Sequence, residues 1–200
     1  VSALVRFPSS HKKIEMAVPQ GYRLGGVYCG IKRYDDKLDL SLLVSDRPAV
    51  AAGVYTTNLV FAAPVKWDRS LTPGVGLRGV VINSGNANAC TGPQGFQDTH
   101  RTAEYVAQLL GISAADVAVC STGLIGELLP MPTLLAGCES AAAALSDDGG
   151  SAAATAIMTT DTVAKTATYD GEGWSVGGMA KGAAMLAPAV KPLRVDIGKT

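Results

Sequence analysis

Short apolar segments of strand length alternate along this chain with segments whose apolar residues recur at helical spacing. The pattern predicts strands over residues 25–31, 38–45, 51–57, 77–82, 117–120, 163–169 and 174–179. It predicts helices over residues 61–69, 98–110 and 131–145, the second with Asp98 as its N-cap and Gly111 at its end. This alternation favours an α/β or layered α+β domain whose sheet edges or faces a partner could cover.

Composition narrows the classes of function. Hydrophobic residues make up 48% of the 200 residues and charged residues 17%, which is typical of a compact globular domain with a large interior. Lys plus Arg equals Asp plus Glu at 17 each, so the basic surface expected of a protein that binds nucleic acid or an anionic membrane is missing. We therefore expect small molecules or other protein chains as partners.

The chain carries no targeting signal that we can identify. No apolar run approaches the ~20 residues needed to cross a bilayer, and residues 1–20 lack the apolar stretch of a signal peptide. These observations predict a cytoplasmic protein, with residues 1–20 as a loosely ordered tail. The cysteines form no C-x-x-C pair and lie in apolar or glycine-rich segments, which predicts buried free thiols. They are Cys29, Cys90, Cys120 and Cys138.

Two runs of small residues follow predicted strands. Residues 83–92 read Asn-Ser-Gly-Asn-Ala-Asn-Ala-Cys-Thr-Gly, and Gly and Asn tolerate the positive φ of a sharp turn close to a ligand. A tight structural loop is the alternative. Residues 120–126 read Cys-Ser-Thr-Gly-Leu-Ile-Gly, a strand-to-glycine turn that can present N–H groups and a hydroxyl to an oxyanion, each donor contributing ~3 kcal/mol. A Ser/Thr turn that bonds only its own backbone is the alternative.

Lys181 lies within a run of Gly, Ala and Met, residues 177–188, without an acidic neighbour in sequence. Such a lysine can hold a substrate carboxylate as a point charge, although a surface lysine is the alternative.

Other signals of a functional site are weak. The final Gly-Lys-Thr has Leu193 where a phosphate-binding loop needs glycine, and His100 with Glu104 lacks a third zinc ligand.

The order of these blocks resembles the ornithine acetyltransferase family. The blocks are residues 30–32, 51–58, 62–65, 83–92, 98–100, 120–126, 157–161 and 177–188. The resemblance implies a layered αββα sandwich, of which this chain is the N-terminal half. It assigns residues 21–188 to an α-chain-like domain, after the tail of residues 1–20, and leaves residues 189–200 as a tail unlike the family.

The resemblance also implies a function in arginine biosynthesis, the transfer of acetyl from N2-acetylornithine to glutamate without cofactor or metal. In that family a precursor cuts itself into α and β chains, which assemble as α2β2 without nucleic-acid or membrane partners. The cleavage frees an N-terminal threonine on the β chain, which acts as nucleophile in a ping-pong reaction, with its own amine as general base. Whether acetyl-CoA also serves as donor stays open.

Individual positions carry the family's roles. Thr122 and Gly123 match the oxyanion-hole pair, and Thr159 and Lys181 match substrate-binding positions. Where the family has its nucleophilic threonine this chain has Pro192, which has no hydroxyl, so we expect the chain alone to be inactive.

Two alternative functions are left open by the sequence. One is an inactive truncated remnant or non-catalytic binding module with the same fold. The other is an aminopeptidase-like self-processing hydrolase, which would not predict a lysine in the glycine-rich frame of residues 177–188.

Overall fold

A four-stranded sheet forms the centre of the molecule. The computed structural model describes residues 16–34 and 36–182. The strands β1 (Tyr22–Val27), β2 (Leu40–Ala51), β3 (Gly74–Asn86) and β4 (Val117–Leu124) lie in sequence order in the sheet. The first three are antiparallel, whereas β4 is parallel to β3. A parallel pair needs a crossover, and here a long helix followed by a short 3-10 turn supplies it.

Three helices cover one face of this sheet. They are α1 (Ala63–Leu71), α2 (Gly92–Leu110) and α3 (Met131–Ala143). Alternate residues of each strand point to the same face, so Leu40, Leu42 and Val44 of β2 pack together against this helical layer. The other members of this main core come from β3, β4, α2, α3 and the adjoining loops: Ile31, Val81, Ala103, Val106, Ala107, Val117, Val119, Leu129, Leu134, Cys138 and Ala141.

The opposite face carries a fourth helix, α4 (Gly150–Ala156), and a separate two-stranded sheet, β5 (Lys165–Gly171) and β6 (Trp174–Ala180). Leu24 and Leu43, paired across β1 and β2, point to this side and pack with Ala153 of α4 and Met179 of β6. A Cβ at Gly26 would overlap the main chain of Ala152, so glycine lets α4 rest on the β1 backbone. The predicted mixed α/β class is confirmed, with two sheets in separate layers.

The predicted start of the second helix is wrong. It begins at Gly92, with Pro93 in its first turn, a position that proline favours because its missing N–H is not needed there. Asp98 is therefore inside the helix, buried, where its Oδ1 accepts a hydrogen bond from Gln94 Nε2 at 2.9 Å. The predicted end is correct, because Gly111 closes the helix in the left-handed conformation at φ 66°.

Two strand predictions also need correction. The predicted strand over residues 38–45 corresponds only to the first part of β2, which begins at Leu40 and continues to Ala51 with a shift of register between Val44 and Ala49. Beyond Ala51 the chain leaves the sheet, so the predicted strand over residues 51–57 does not form. The helix α4 has only 7 residues, which is too few for its apolar spacing to indicate a helix.

The chain near the amino-terminal end of the described region belongs to the core. Residues 1–15 of the predicted tail lie outside the described residues, but Met16 is buried and the Ala17 N–H donates to Thr168 Oγ1 at 3.1 Å. Cys138 is buried as expected, whereas Cys90 is exposed. None of the helices in residues 16–34 and 36–182 is both long enough and apolar enough to span a membrane.

Candidate functional site

Thr122 and Gly123 lie at the carboxyl end of β4, beside the carboxyl end of β3. The parallel register places Thr122 opposite Ser84 and Gly123 opposite Gly85. In open, mostly parallel α/β sheets, ligands bind outside the carboxyl ends of the strands, and β3 and β4 are the parallel pair of this sheet. The register therefore brings together two of the glycine-containing segments that the sequence singled out.

The two paired glycines allow a close approach of main chains. Gly85 has φ 113° and Gly123 has φ 137°, main-chain angles that residues with a Cβ rarely adopt. A Cβ at Gly123 would overlap the main chain of Gly85 and lie 2.6 Å from the Asn86 nitrogen. A Cβ at Gly85 would lie 3.0 Å from the Lys32 nitrogen. Three chain segments therefore meet here backbone to backbone.

Thr122 is half-buried and Gly123 is exposed. Within the part of the chain that the structure describes, the Thr122 hydroxyl has no hydrogen-bond partner, whereas the neighbouring Ser121 Oγ donates to Asn83 Oδ1 at 2.6 Å. The two adjacent hydroxyls thus differ, because that of Ser121 holds β4 to β3 whereas that of Thr122 makes no hydrogen bond among the described residues.

The asparagines of residues 83–92 support the loop from inside. Asn88 is fully buried and its Nδ2 donates to Gly95 O at 2.8 Å and to Thr99 Oγ1 at 2.9 Å. Asn86 Nδ2 donates to Glu127 O at 3.0 Å, and Asn83 Nδ2 to Asn86 O at 2.8 Å. These amides fix the loop that carries Gly85.

Asp68 of α1 anchors β4 just before the site. Its Oδ1 accepts the Val119 N–H at 2.9 Å, and burial raises the pKa of its carboxyl to about 6. Next to it, burial raises the pKa of the Cys120 thiol to about 12. A thiol with so high a pKa is protonated near neutral pH, which makes Cys120 unsuited to serve as a nucleophile.

Asp39 organises the loop of residues 29–32, which contacts Gly85. The side chain is completely buried, and its two oxygens accept the N–H groups of four consecutive residues. These are Cys29 at 2.7 Å, Gly30 at 3.0 Å, Ile31 at 2.7 Å and Lys32 at 3.0 Å. Asp39 was not predicted as a site residue, since an isolated acid at the start of a strand gives no local pattern.

Thr159 and Lys181 are brought together by a third residue, Asp161. Its Oδ2 accepts the Thr159 N–H at 3.3 Å, and its Oδ1 accepts the Gly182 N–H at 2.6 Å as well as the Lys165 ammonium. The hydrogen bond from Lys165 is the main reason that the pKa of Asp161 falls to about 2. The loop after α4 and the end of β6 are thereby joined.

The two groups of predicted residues are connected indirectly. Among the described residues, no hydrogen bond or ion pair joins Thr122 or Gly123 to Thr159 or Lys181. Ser84 Oγ, however, donates to Ala156 O, which ties the end of β3 to the loop that leads to Thr159. Lys32 is another link, because it lies against Gly85 and its ammonium is within electrostatic range of Asp161.

Other candidate residues do not join this site. His100 Nδ1 lies 3.3 Å from Glu104 Oε1 on α2, and its ring packs edge-on against Trp67. Over residues 16–34 and 36–182, no three side chains of the metal-binding types come together. Pro192 lies outside the described residues.

Known proteins resemble this chain over most of its length. The sequence pattern of the ArgJ family matches residues 23–193. The arginine biosynthesis bifunctional protein ArgJ 1 of Streptomyces clavuligerus is 57% identical over 181 residues, 90% of this chain and 47% of that protein. The corresponding protein of Thermobifida fusca is 51% identical over 178 residues, 88% of this chain and 46% of that protein. The chain spans about half the length of the curated relatives it matches.

Solved structures agree with the fold. The crystal structure of ornithine acetyltransferase from Mycobacterium tuberculosis, complexed with ornithine, superimposes with a TM-score of 0.85 at 49% identity, covering 89% of this chain and 97% of that one. The ArgJ protein of Bacillus halodurans gives a TM-score of 0.78 at 37% identity, covering 88% of this chain and 94% of that one.

Proposed function

Because this chain belongs to the ArgJ family, we propose that it is the α portion of an acetyltransferase that moves acetyl from N2-acetylornithine to glutamate in arginine biosynthesis. The likeness to the Mycobacterium tuberculosis ornithine acetyltransferase carries the proposal, since 97% of that chain is matched at 49% identity. Ornithine, the ligand of that structure, is what remains when N2-acetylornithine has given up its acetyl group.

Thr122 and Gly123 stabilise the oxyanion in this proposal. Attack on the acetyl carbonyl gives a tetrahedral intermediate whose oxygen carries negative charge, and fixed donors aimed at that oxygen lower the barrier. The Thr122 hydroxyl, which lies at the carboxyl end of β4 and has no hydrogen-bond partner among the described residues, supports this role. The contact between Gly85 and Gly123 also supports it, because it holds the Gly123 main chain rigidly.

Thr159 and Lys181 bind the substrates in this proposal. N2-Acetylornithine and glutamate both carry an α-carboxylate, which suits the point charge of a lysine ammonium. No carboxylate in the described ranges lies within ion-pair distance of Lys181, whose Nζ donates instead to Gly182 O at 2.6 Å. Thr159 is half-buried, and its hydroxyl likewise has no partner among the described residues. Both groups can therefore turn to a ligand.

The nucleophile comes from a second chain in this proposal. We infer a cytoplasmic α2β2 assembly in which self-cleavage of a precursor exposes the threonine amine and hydroxyl of the β chain. The length of the curated relatives, about twice the part matched here, supports a second half. Pro192, which lies where the family has its threonine, means that the present chain cannot supply the nucleophile itself.

The test compares the chain alone with the chain assembled with the carboxyl-terminal half of the Streptomyces clavuligerus relative, which supplies the β portion. Each sample receives N2-acetylornithine labelled with deuterium in the acetyl group, together with glutamate, and mass spectrometry measures labelled N-acetylglutamate. We expect transfer by the assembled pair and only background from the chain alone.

Two results would contradict the proposal. Transfer by the chain alone would remove the need for a second half. A stable pair that binds ornithine without transferring acetyl, while the relative's own two halves do transfer it, would favour a non-catalytic binding module with the same fold.

A further inference from the structure

One carboxylate is shared by the segments that carry Thr159 and Lys181. Asp161 accepts the Thr159 N–H through one oxygen and the Gly182 N–H through the other, at 3.3 and 2.6 Å. Asp161 and Gly182 are 21 residues apart, so the second bond is a tertiary contact. The Asp161 side chain is only 1% exposed although it lies between a loop and a strand end. The position of Thr159 relative to Lys181 thus depends on one side chain.

The charge of this carboxylate is balanced by Lys165. The Lys165 ammonium donates to Asp161 Oδ1, and it holds the pKa of Asp161 low enough for the carboxyl to stay ionised near neutral pH. Lys181 donates to a neutral carbonyl, that of Gly182. Among the described residues no carboxylate pairs with Lys181, and Asp161 pairs with Lys165 instead, so the positive charge of Lys181 can attract an anionic ligand.

Gly182 makes the contact possible. A Cβ at this position would overlap Asp161 Oδ1 and would lie 3.3 Å from the Lys165 nitrogen. Gly178, within β6, is different, because a Cβ there would meet nothing closer than Ala167 O at 3.8 Å, an ordinary van der Waals contact. The main chain after Lys181 therefore needs glycine at residue 182 in order to reach the carboxylate.

We propose that Asp161 is the positioning residue of the substrate-carboxylate site. It sets the distance between Thr159 and Lys181, while its pairing with Lys165 leaves Lys181 for the substrate. The proposal rests on the function proposed above. In it, Asp161 does not contact the substrate but holds in place the residues that do.

Asp161→Asn tests the proposal in the chain assembled with its β portion. Asparagine keeps one acceptor oxygen instead of two and carries no charge, so one main-chain bond and the Lys165 pair are lost. The substrate carboxylate is present in both the ground and the transition state. KM for both substrates should therefore rise about 10- to 100-fold, while kcat stays within about threefold of its original value. The dissociation constant of ornithine, measured by calorimetry without turnover, should rise by the same factor as KM.

Matched variants separate positioning from general damage. Asp170→Asn removes an exposed carboxylate from the neighbouring β5 and should leave KM and ornithine binding unchanged. Gly182→Ala should reproduce Asp161→Asn, because the added methyl displaces the carboxylate, whereas Gly178→Ala should not.

Several outcomes would overturn the proposal. The first is an equal effect of Asp161→Asn and Asp170→Asn on KM. The second is a fall in melting temperature and kcat for Asp161→Asn with unchanged ornithine binding, which marks a purely structural role. If Asp161→Asn does not fold, unchanged ornithine binding in Gly182→Ala is the contradicting result. If the unaltered pair binds ornithine but transfers no acetyl, the proposed function fails, yet weaker ornithine binding in Asp161→Asn would still support positioning.

Discussion

Replacing Asp39 by asparagine should destabilise the loop that contacts Gly85. The Asp39 carboxylate is fully buried and accepts four consecutive main-chain N–H groups, one through Oδ1 and three through Oδ2. Asparagine has one oxygen and an NH2 group, so at least one N–H group loses its acceptor and faces another donor. The bonds that remain change from charged to neutral.

The size of the effect follows from these contacts. A hydrogen bond to a charged group contributes about 1.5–3 kcal/mol and a neutral one about 0.5–1.5 kcal/mol, and a buried donor left without a partner costs about 1–3 kcal/mol. Gly30 is exposed, so water can replace part of what is lost there. We expect a loss of about 4 kcal/mol in the free energy of unfolding, which for a chain of this size lowers Tm by roughly 8–16 °C.

Urea and thermal unfolding followed by circular dichroism measure this loss. Asp36→Asn is the control, because Asp36 is exposed in the same region and its left-handed backbone, φ 63°, suits asparagine as well. A loss below about 1 kcal/mol for Asp39→Asn, or an equal loss in both variants, would refute the argument that the four N–H groups depend on the carboxylate.

Three further predictions concern the pH dependence of stability, a contact between glycines, and self-cleavage. Burial raises the pKa of Asp68 from 3.8 to about 6, so the folded state binds the proton more tightly than the unfolded state does. The unfolding free energy, taken relative to that of Asp68→Asn, should therefore fall by up to about 3 kcal/mol between about pH 4 and about pH 6. Urea unfolding at several pH values across that range measures this difference, and a difference in unfolding free energy that rises with pH would contradict the prediction. Gly123→Ala should lower the free energy of unfolding by more than about 2 kcal/mol, because the new methyl overlaps Gly85. Gly111→Ala, with open space around it, should lower the free energy of unfolding by only about 1 kcal/mol. Unfolding curves with the same midpoint for both variants would contradict this. The chain alone should not cleave itself near residue 191, and intact-mass analysis showing two fragments split there would count against the Pro192 argument.

Periodicity in the sequence predicted the elements that bury a continuous apolar face. The predicted helix over residues 131–145 corresponds to α3, Met131–Ala143, because Leu134 and Cys138 fall on the buried side. The first turns of α2 were missed since Gly92, Pro93 and the residues after them carry no apolar repeat. The segment after Ala51 is apolar but leaves the sheet, because β3 begins at Gly74, the residue that pairs with Ala51.

The candidate site was only partly accessible from sequence. The strand-to-glycine turn at Thr122 and Gly123 has a local pattern, but its contact with Gly85 depends on the parallel register set by the α2 crossover. Asp39 and Asp161 act by accepting main-chain N–H groups, in one case from a residue 21 positions away. Every residue type except proline can donate such a bond, so its donors leave no pattern in the sequence.

The steady-state kinetics of Thr122→Ala in the assembled enzyme test most directly whether this chain supplies the oxyanion donor. Because the oxyanion exists only in the transition state, kcat should fall by roughly 10²–10³-fold with little change in KM, whereas Thr122→Ser should keep most of the activity. Lys181→Ala should instead raise KM first, with a smaller effect on kcat. Small and equal effects of Thr122→Ala and Lys181→Ala would contradict the account, because Thr122 would then be a turn residue and Lys181 a solvated one.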